Sequence, residues 1–289
     1  MGNAKTRAAL ISVISNSILI VLKVCAGILS GSVSILSEAI HSGMDLVASF
    51  IALFSVSISS KPPDKQHPYG HGKIENISGT IEGILILVAA ILIISEAIKK
   101  LNNPHPLNET TIAIVVMLFS AIINWFVSSY LYKVAKKEDS VALEADALHL
   151  RTDVYTSAGV GFGIILIEIT GFVLLDPLVA IFVASLILKE SFKLCRKAFN
   201  PLLDTKLPEG EELIIVEVLD KYNDQIQVHG YHNLKTRQSG SQRYAEFHLE
   251  VDPSLSIQEY QTISEGIQDD LCYSLDNICI TIHVETRSF

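Results

Sequence analysis

Apolar residues in the first two-thirds of the chain fall in long unbroken segments, not in the short alternations of a half-buried sheet. They run over about residues 8–30, 34–59, 77–98, 110–132, 149–172 and 177–195. Each is close to the ~20 residues that a helix needs to cross a hydrocarbon core about 30 Å thick. The window from Thr111 to Tyr132 holds 22 residues without a charge. This pattern predicts an α-helical membrane domain of six transmembrane helices over residues 1–203. After Asn200-Pro201 the pattern changes. Pro208-Glu209-Gly210 opens a helical periodicity that lasts to Tyr222, and two alternating runs follow over 225–235 and 243–251. A second helix over 256–275 leads to a last strand over 277–285. The order αββαβ within residues 204–289 predicts a small α+β domain of the ferredoxin-like type.

Composition narrows the class. Of 289 residues, 49% are apolar and 18% charged, which excludes a disordered chain, a collagen and a disulfide-stapled mini-protein. The net charge of −9 is concentrated in the tail, where residues 204–289 carry 16 acidic and 6 basic side chains. Such a surface repels a phosphate backbone, so no nucleic-acid partner is expected. Cys25, Cys195, Cys272 and Cys279 form no CxxC pair and read as packing residues. The N-terminal run is basic and then apolar but lacks a small-residue cleavage site, so it reads as a retained first helix. Between the apolar segments, Lys5 and Arg7, then Lys61, Lys65 and Lys73, then Lys133, Lys136 and Lys137, then Lys189, Lys193, Arg196 and Lys197 all fall on one face of the membrane. The opposite loops offer Lys99 and Lys100. The positive-inside rule then puts both termini and the tail in the cytoplasm.

An ionisable residue near the middle of a span costs about 2.5–3.5 kcal/mol on insertion scales, so each needs a reason. The second segment contains His41 and Asp45, and the fifth contains His149 and Asp153, both as HxxxD. Residues four apart share a helix face, so each pair can aim an imidazole nitrogen and a carboxylate oxygen at one point. If the two helices face each other, the four side chains supply a tetrahedral N2O2 set whose two negative charges a divalent cation neutralises, and Zn2+ suits that geometry best. One such pair alone reads equally as an i,i+4 hydrogen bond; two copies in separate spans favour the ligand set. Glu38 and Arg151 fit either a wet entrance or internal pairs, and Lys23 and Glu82 fit snorkelling or an ion pair.

Two further clusters lie outside the spans. In the loop after the second segment, Asp64, His67 and His71 stand at intervals of three and four and can converge on one ion, although a loop with two histidines reads equally as a turn. In the tail, alternation puts Ala245, Phe247, Leu249 and Val251 on one face and Glu246, His248 and Glu250 on the other. Ile278, Ile280, Ile282 and Val284 likewise leave Cys279, Thr281, His283 and Glu285 opposite. A His/Glu face is what a surface metal site requires, and it is also how any half-exposed strand looks.

The loop His67-Pro68-Tyr69-Gly70-His71-Gly72-Lys73-Ile74-Glu75, the paired HxxxD motifs and the αββαβ tail together resemble the cation diffusion facilitator (cation efflux) family, in its bacterial zinc and divalent-metal exporter branch. The resemblance covers nearly the whole chain. It implies a homodimeric secondary transporter that moves a divalent metal out of the cytoplasm in exchange for protons. By that resemblance His41, Asp45, His149 and Asp153 form the transport site, and HxxxD on both helices is similar to the zinc-preferring branch. Asp64, His67 and His71 match a second site. The stretch Gly230 to Gly240 resembles the family's tail motif, so that His232, His248, His283 and Glu285 match a zinc cluster at the dimer interface. Two departures stand out: Gln261 falls where relatives place a further bridging His, and Glu285 replaces the usual Asp. Lys73 and Asp204 match a salt bridge that interlocks the dimer in relatives.

The implied mechanism is competition between Zn2+ and protons for the same ligands, because a metal needs the deprotonated imidazole. Gly159, Gly161 and Gly163 in the fifth segment allow close helix packing there. Rival readings are export of Fe2+, Co2+, Cd2+ or Mn2+, and a membrane-anchored metal sensor. A membrane metalloenzyme is disfavoured because the chain lacks HExxH and GxSxG, so no enzymatic activity is expected.

Overall fold

The computed structural model describes residues 2–30, 33–102, 111–170, 174–223 and 227–286. Six long helices come first: α1 Gly2–Ser30, α2 Val33–Ser59, α3 Lys73–Asn102, α4 Thr111–Lys137, α5 Val141–Thr170 and α6 Leu175–Phe199. Each is longer than its apolar segment, because helical backbone continues past the apolar stretch into polar ends. The boundaries follow local chemistry. α2 stops ahead of Pro62-Pro63, which donate no amide hydrogen and restrict the residue before them. α3 follows a turn in which Gly70 has φ +79°, a left-handed conformation that glycine adopts without a Cβ penalty. Lys136 and Lys137 close the last turn of α4, where the helix dipole favours cations. Ser140 starts α5: its carbonyl accepts from the Glu144 amide at 3.1 Å and its hydroxyl from the Leu143 amide at 3.4 Å.

The bundle is small-residued where helices meet. Ala8, Ala9, Leu131, Ala135, Ala142, Leu143, Ala147 and Leu150 form one core between α1, α4 and α5. Ile86, Ala90, Val141, Ala145, Ile187, Leu194 and Ala198 form another between α3, α5 and α6. α5 therefore belongs to both. Close approach is obligatory at α3: a Cβ on Gly83 would lie 2.6 Å from Cys195 Sγ and 3.4 Å from the Cys195 amide nitrogen of α6. Gly159 is nearly as tight, with a Cβ there 3.1 Å from Val183 Cγ2. The immediate surroundings of Gly161 and Gly163 lie outside the described residues.

Polarity is turned inside out. Ile18, Val21, Leu29, Phe54, Leu92, Phe126 and Phe182 are exposed, while Lys5, Asn16, Asp45, Glu75, Glu82 and Asp146 are buried. That arrangement suits a hydrocarbon solvent, in which polar groups must find partners inside the protein. Among the described residues, Ala4–Ala26 and Lys73–Lys99 are long and apolar enough to cross a membrane by length and composition.

The chain divides into two compact units, Met1–Phe199 and Asn200–Phe289. The turn Asn200–Leu203 packs on β1 and falls in the second unit by contacts. The tail comprises α7 Glu209–Asn223, β1 Val228–Ser239, β2 Gln242–Val251, α8 Ile257–Ser274 and β3 Ile278–Thr286. Sheet order is β1-β2-β3, with β1 and β2 antiparallel and β2 and β3 parallel. Ala245, Phe247, Leu249 and Val251 of β2 pack with Ile215, Val218 and Leu219 of α7 and Ile263, Ile267 and Leu271 of α8. A capping box in which Ser256 and Glu259 satisfy each other's backbone amides fixes the start of α8. β3 departs from the alternation read in the sequence. Ile278, Ile280 and Ile282 pack against the core, whereas Val284 is 48% exposed on the edge strand, where only one neighbouring strand flanks it.

Gly83→Ala is expected to lower stability by about 1–3 kcal/mol through overpacking against the α6 backbone. A drop in the thermal unfolding midpoint of the purified protein in detergent, compared with Gly43→Ala, checks it: a Cβ at Gly43 meets nothing within 4 Å.

Candidate metal centres

The HxxxD helices face each other. Asp45 on α2 and His149 on α5 meet, with His149 Nε2 3.0 Å from Asp45 Oδ1 and Asp45 buried. Asp153, one turn beyond His149, lies with Oδ2 3.5 Å from Asn124 Nδ2 of α4. His149 and Asp153 border a cavity of about 420 Å3 that Thr156, Gly159, Ile86 and Val183 also line. His41 is one turn before Asp45 on α2; its side chain and that of Glu38 lie outside the described residues. Three of the predicted four are therefore placed, two in direct contact.

Behind them runs a polar layer that the sequence reading missed. Ser49, four residues after Asp45, receives Asn16 Nδ2 at 2.7 Å, lies 3.0 Å from Ser12 Oγ, and donates to Asp146 Oδ1 at 3.0 Å. Asp146 is fully buried and three residues before His149. Both continue the HxxxD faces by one turn, and that spacing was the available signal. Lys23 Nζ donates to Ser42 Oγ at 2.6 Å, and buried Glu82 accepts from Ser78 at 3.3 Å. Arg151 sits with its guanidinium carbon 4.5 Å from the Tyr132 ring centroid.

The loop trio closes as the spacing suggested. Asp64 Oδ1 is 3.2 Å from His67 Nδ1, and Asp64 Oδ2 is 3.4 Å from His71 Nε2. One ligand atom from each residue falls within 4.8 Å of the others. The His67 amide, helped by the Gln66 amide, donates to Asp64 and holds its carboxyl below the usual range. The exit from this loop is anchored. Glu75, in the first turn of α3, accepts Lys5 Nζ at 3.0 Å and Ser59 Oγ at 2.6 Å, and also the Ser140 hydroxyl, tying α1, α2 and the start of α5 to α3.

In the tail, strand register builds the third cluster. His232 pairs with His248 across β1 and β2, and His248 with His283 across β2 and β3, so three imidazoles stand abreast, neighbouring ring centroids 5.1 Å apart. Glu285 bridges two of them, with Oε1 2.7 Å from His248 Nδ1 and Oε2 3.2 Å from His232 Nε2. The hydrogen bond with His248 holds its carboxyl low. His232, His248 and Glu285 again fit within 4.8 Å. His283 is turned away, its Nε2 3.6 Å from Glu246. Glu250, not assigned a role from the sequence, comes within 3.7 Å of His232 because a bulge at Asn233, with φ +58°, resets the register. Gln261 donates along α8 to Glu265 at 2.8 Å. Asp204 lies 3.7 Å from Arg237 within the tail.

The sequence matches the cation efflux transmembrane domain over residues 9–203 and the cation efflux protein cytoplasmic domain over residues 208–287. The chain belongs to the cation efflux, or cation diffusion facilitator, family. It is 35% identical over 266 residues to an uncharacterised transporter of Synechocystis, covering 91% of this chain and 84% of that one. It is 30% identical over 291 residues to the cation-efflux pump FieF of Citrobacter koseri, covering 99% and 94%. FieF of Yersinia pestis is 31% identical over 285 residues, covering 97% and 92%. Among solved structures, the metal-bound C-terminal domain of the CzcD transporter from Thermotoga maritima is 26% identical, covering 28% of this chain and 94% of that domain, with a TM-score of 0.25. This cation efflux protein is an integral membrane transporter, not an enzyme, and its α-helical front is followed by a cytoplasmic domain with a small sheet.

His248→Ala in the full chain is expected to lower zinc affinity of the tail cluster roughly tenfold or more, on the scale of losing one ligand interaction. Isothermal titration with zinc reads the effect; unchanged affinity in the variant would remove His248 from the ligand set.

Proposed function

We propose that this cation efflux transporter carries Zn2+ out of the cytoplasm in exchange for protons, as a homodimer in the inner membrane with six spans, both termini cytoplasmic and a ferredoxin-like tail. The observation that carries the reading is the contact of Asp45 with His149 between two apolar helices, 3.0 Å apart inside the bundle. In this reading His41, Asp45, His149 and Asp153 hold the transported ion. A divalent ion binds only a deprotonated imidazole, so metal loading and proton release are coupled. Reprotonation on the far side releases the metal, and the inward proton gradient sets the direction. The cavity beside His149 and Asp153 supports this by giving an ion room at the pair.

The loop trio Asp64, His67 and His71 acts as a second metal site, and the tail cluster of His232, His248, His283 and Glu285 takes zinc when the cytoplasmic concentration rises. Its core is His232, His248 and Glu285, with His283 requiring a ring turn to join. Six crossings rest on six helices of 25 to 30 residues with outward apolar faces. The ferredoxin-like reading rests on αββαβ order, with both helices packed on one sheet core.

Proteoliposomes reporting metal and pH together are expected to show zinc and protons moving in opposite directions, with Asp45→Ala and Asp153→Ala slower by roughly tenfold or more. Flux of Fe2+, Co2+, Cd2+ or Mn2+ in place of Zn2+ would revise the ion. Intact tail binding without flux of any of them would favour the membrane-anchored sensor.

A further inference from the structure

A second cavity of about 420 Å3 opens between α4, α5 and α6. Thr152 borders both this cavity and the one at His149, but the chemistry differs. Five basic side chains line it, Lys136, Arg151, Lys189, Lys193 and Lys197, against two acidic ones, Glu144 and Glu190. Glu144 is already shared, 3.3 Å from Lys136 and 2.5 Å from Lys197. The Arg151 Nε atom is buried and has no hydrogen-bond partner among the described residues, while its guanidinium plane rests on Tyr132. A positive field of this kind repels a divalent cation, so the cavity is no mouth for the transported metal. Guanidinium and ammonium donors converging on one space instead match phosphate oxygens.

The cavity is also graded along its length. One end lies where α4 ends, α5 begins and α6 ends, at Lys136, Glu144 and Lys197, and Lys193, Lys189 and Arg151 line it further along. Eleven residues further along α5, about 16 Å at the helical rise, it is walled by Tyr155, and on α6 by Leu186, both exposed on the apolar flank. A free anion needs no apolar wall; a phospholipid needs both ends. We propose that this cavity binds the phosphate headgroup of an anionic phospholipid of the cytoplasmic leaflet, with an acyl chain laid along Tyr155 and Leu186. The inference rests on the membrane orientation given under the proposed function.

The test uses the full chain, purified in mild detergent and stripped of lipid, titrated with phosphatidylglycerol, phosphatidylcholine or inorganic phosphate and read by native mass spectrometry. Phosphatidylglycerol is expected to bind roughly tenfold more tightly than phosphatidylcholine. Lys189→Gln with Lys193→Gln should reduce that binding roughly 25-fold, since each basic group near a charged lipid surface contributes about a fivefold factor. Equal retention of the two lipids, undiminished retention by the double variant, or inorganic phosphate binding as tightly as phosphatidylglycerol would overturn the proposal. Should the double variant fail to fold, Arg151→Lys replaces it: this change keeps the charge but loses the planar fork stacked on Tyr132, and unchanged phosphatidylglycerol binding would likewise overturn the proposal. Lipid retention is read without transport. Loss of zinc flux with selective retention would therefore count only against the transport reading, and intact flux without selectivity only against the lipid site.

Discussion

A charged or polar group inside an apolar bundle must be satisfied by the protein itself, and that constraint organises this fold. Asp45 and His149 meet it by finding each other. Asp146, Ser49, Ser12 and Asn16 meet it one layer further, linking α5 to α1 and α2. Glu75 meets it at the edge of the bundle by gathering Lys5, Ser59 and Ser140. Removing one member of a buried ion pair costs about 3–5 kcal/mol because the other is left uncompensated, so these contacts restrict how the helices can be arranged. Beside His149 and Asp153 the bundle leaves a cavity rather than closely packed side chains.

The small residues play the complementary part. Alanines between α1, α4 and α5, and the glycines of α3 facing Cys195 and Val141, bring helix axes close enough for short polar side chains to reach across. α5 carries the consequence. It presents His149 and Asp153 toward the inner cavity, and it shares Arg151 with a basic cavity of the opposite electrostatic character. Two cavities of different lining thus lie against one helix. In the tail the same logic works through a sheet, since period-two alternation that buries Phe247 and Leu249 necessarily lifts His248 and Glu250 to the other face.

The sequence alone determined a good deal. Long apolar segments announced the helices, the change of period after Pro201 announced the tail, and the two HxxxD motifs, the loop spacing of Asp64, His67 and His71, and the alternation around His248 announced the candidate ligands. All of these are local periodicities, in which one residue's position fixes the face of its neighbours. Only tertiary structure decided which faces meet. That α2 and α5 are neighbours, that Ser49 and Asp146 form a layer behind the site, that a bulge at Asn233 brings Glu250 toward His232, and that His283 turns to Glu246 are matters of contact between elements distant in sequence. Side-chain periodicity specifies direction from a backbone, whereas a site requires directions from several backbones to converge, and packing alone sets that convergence.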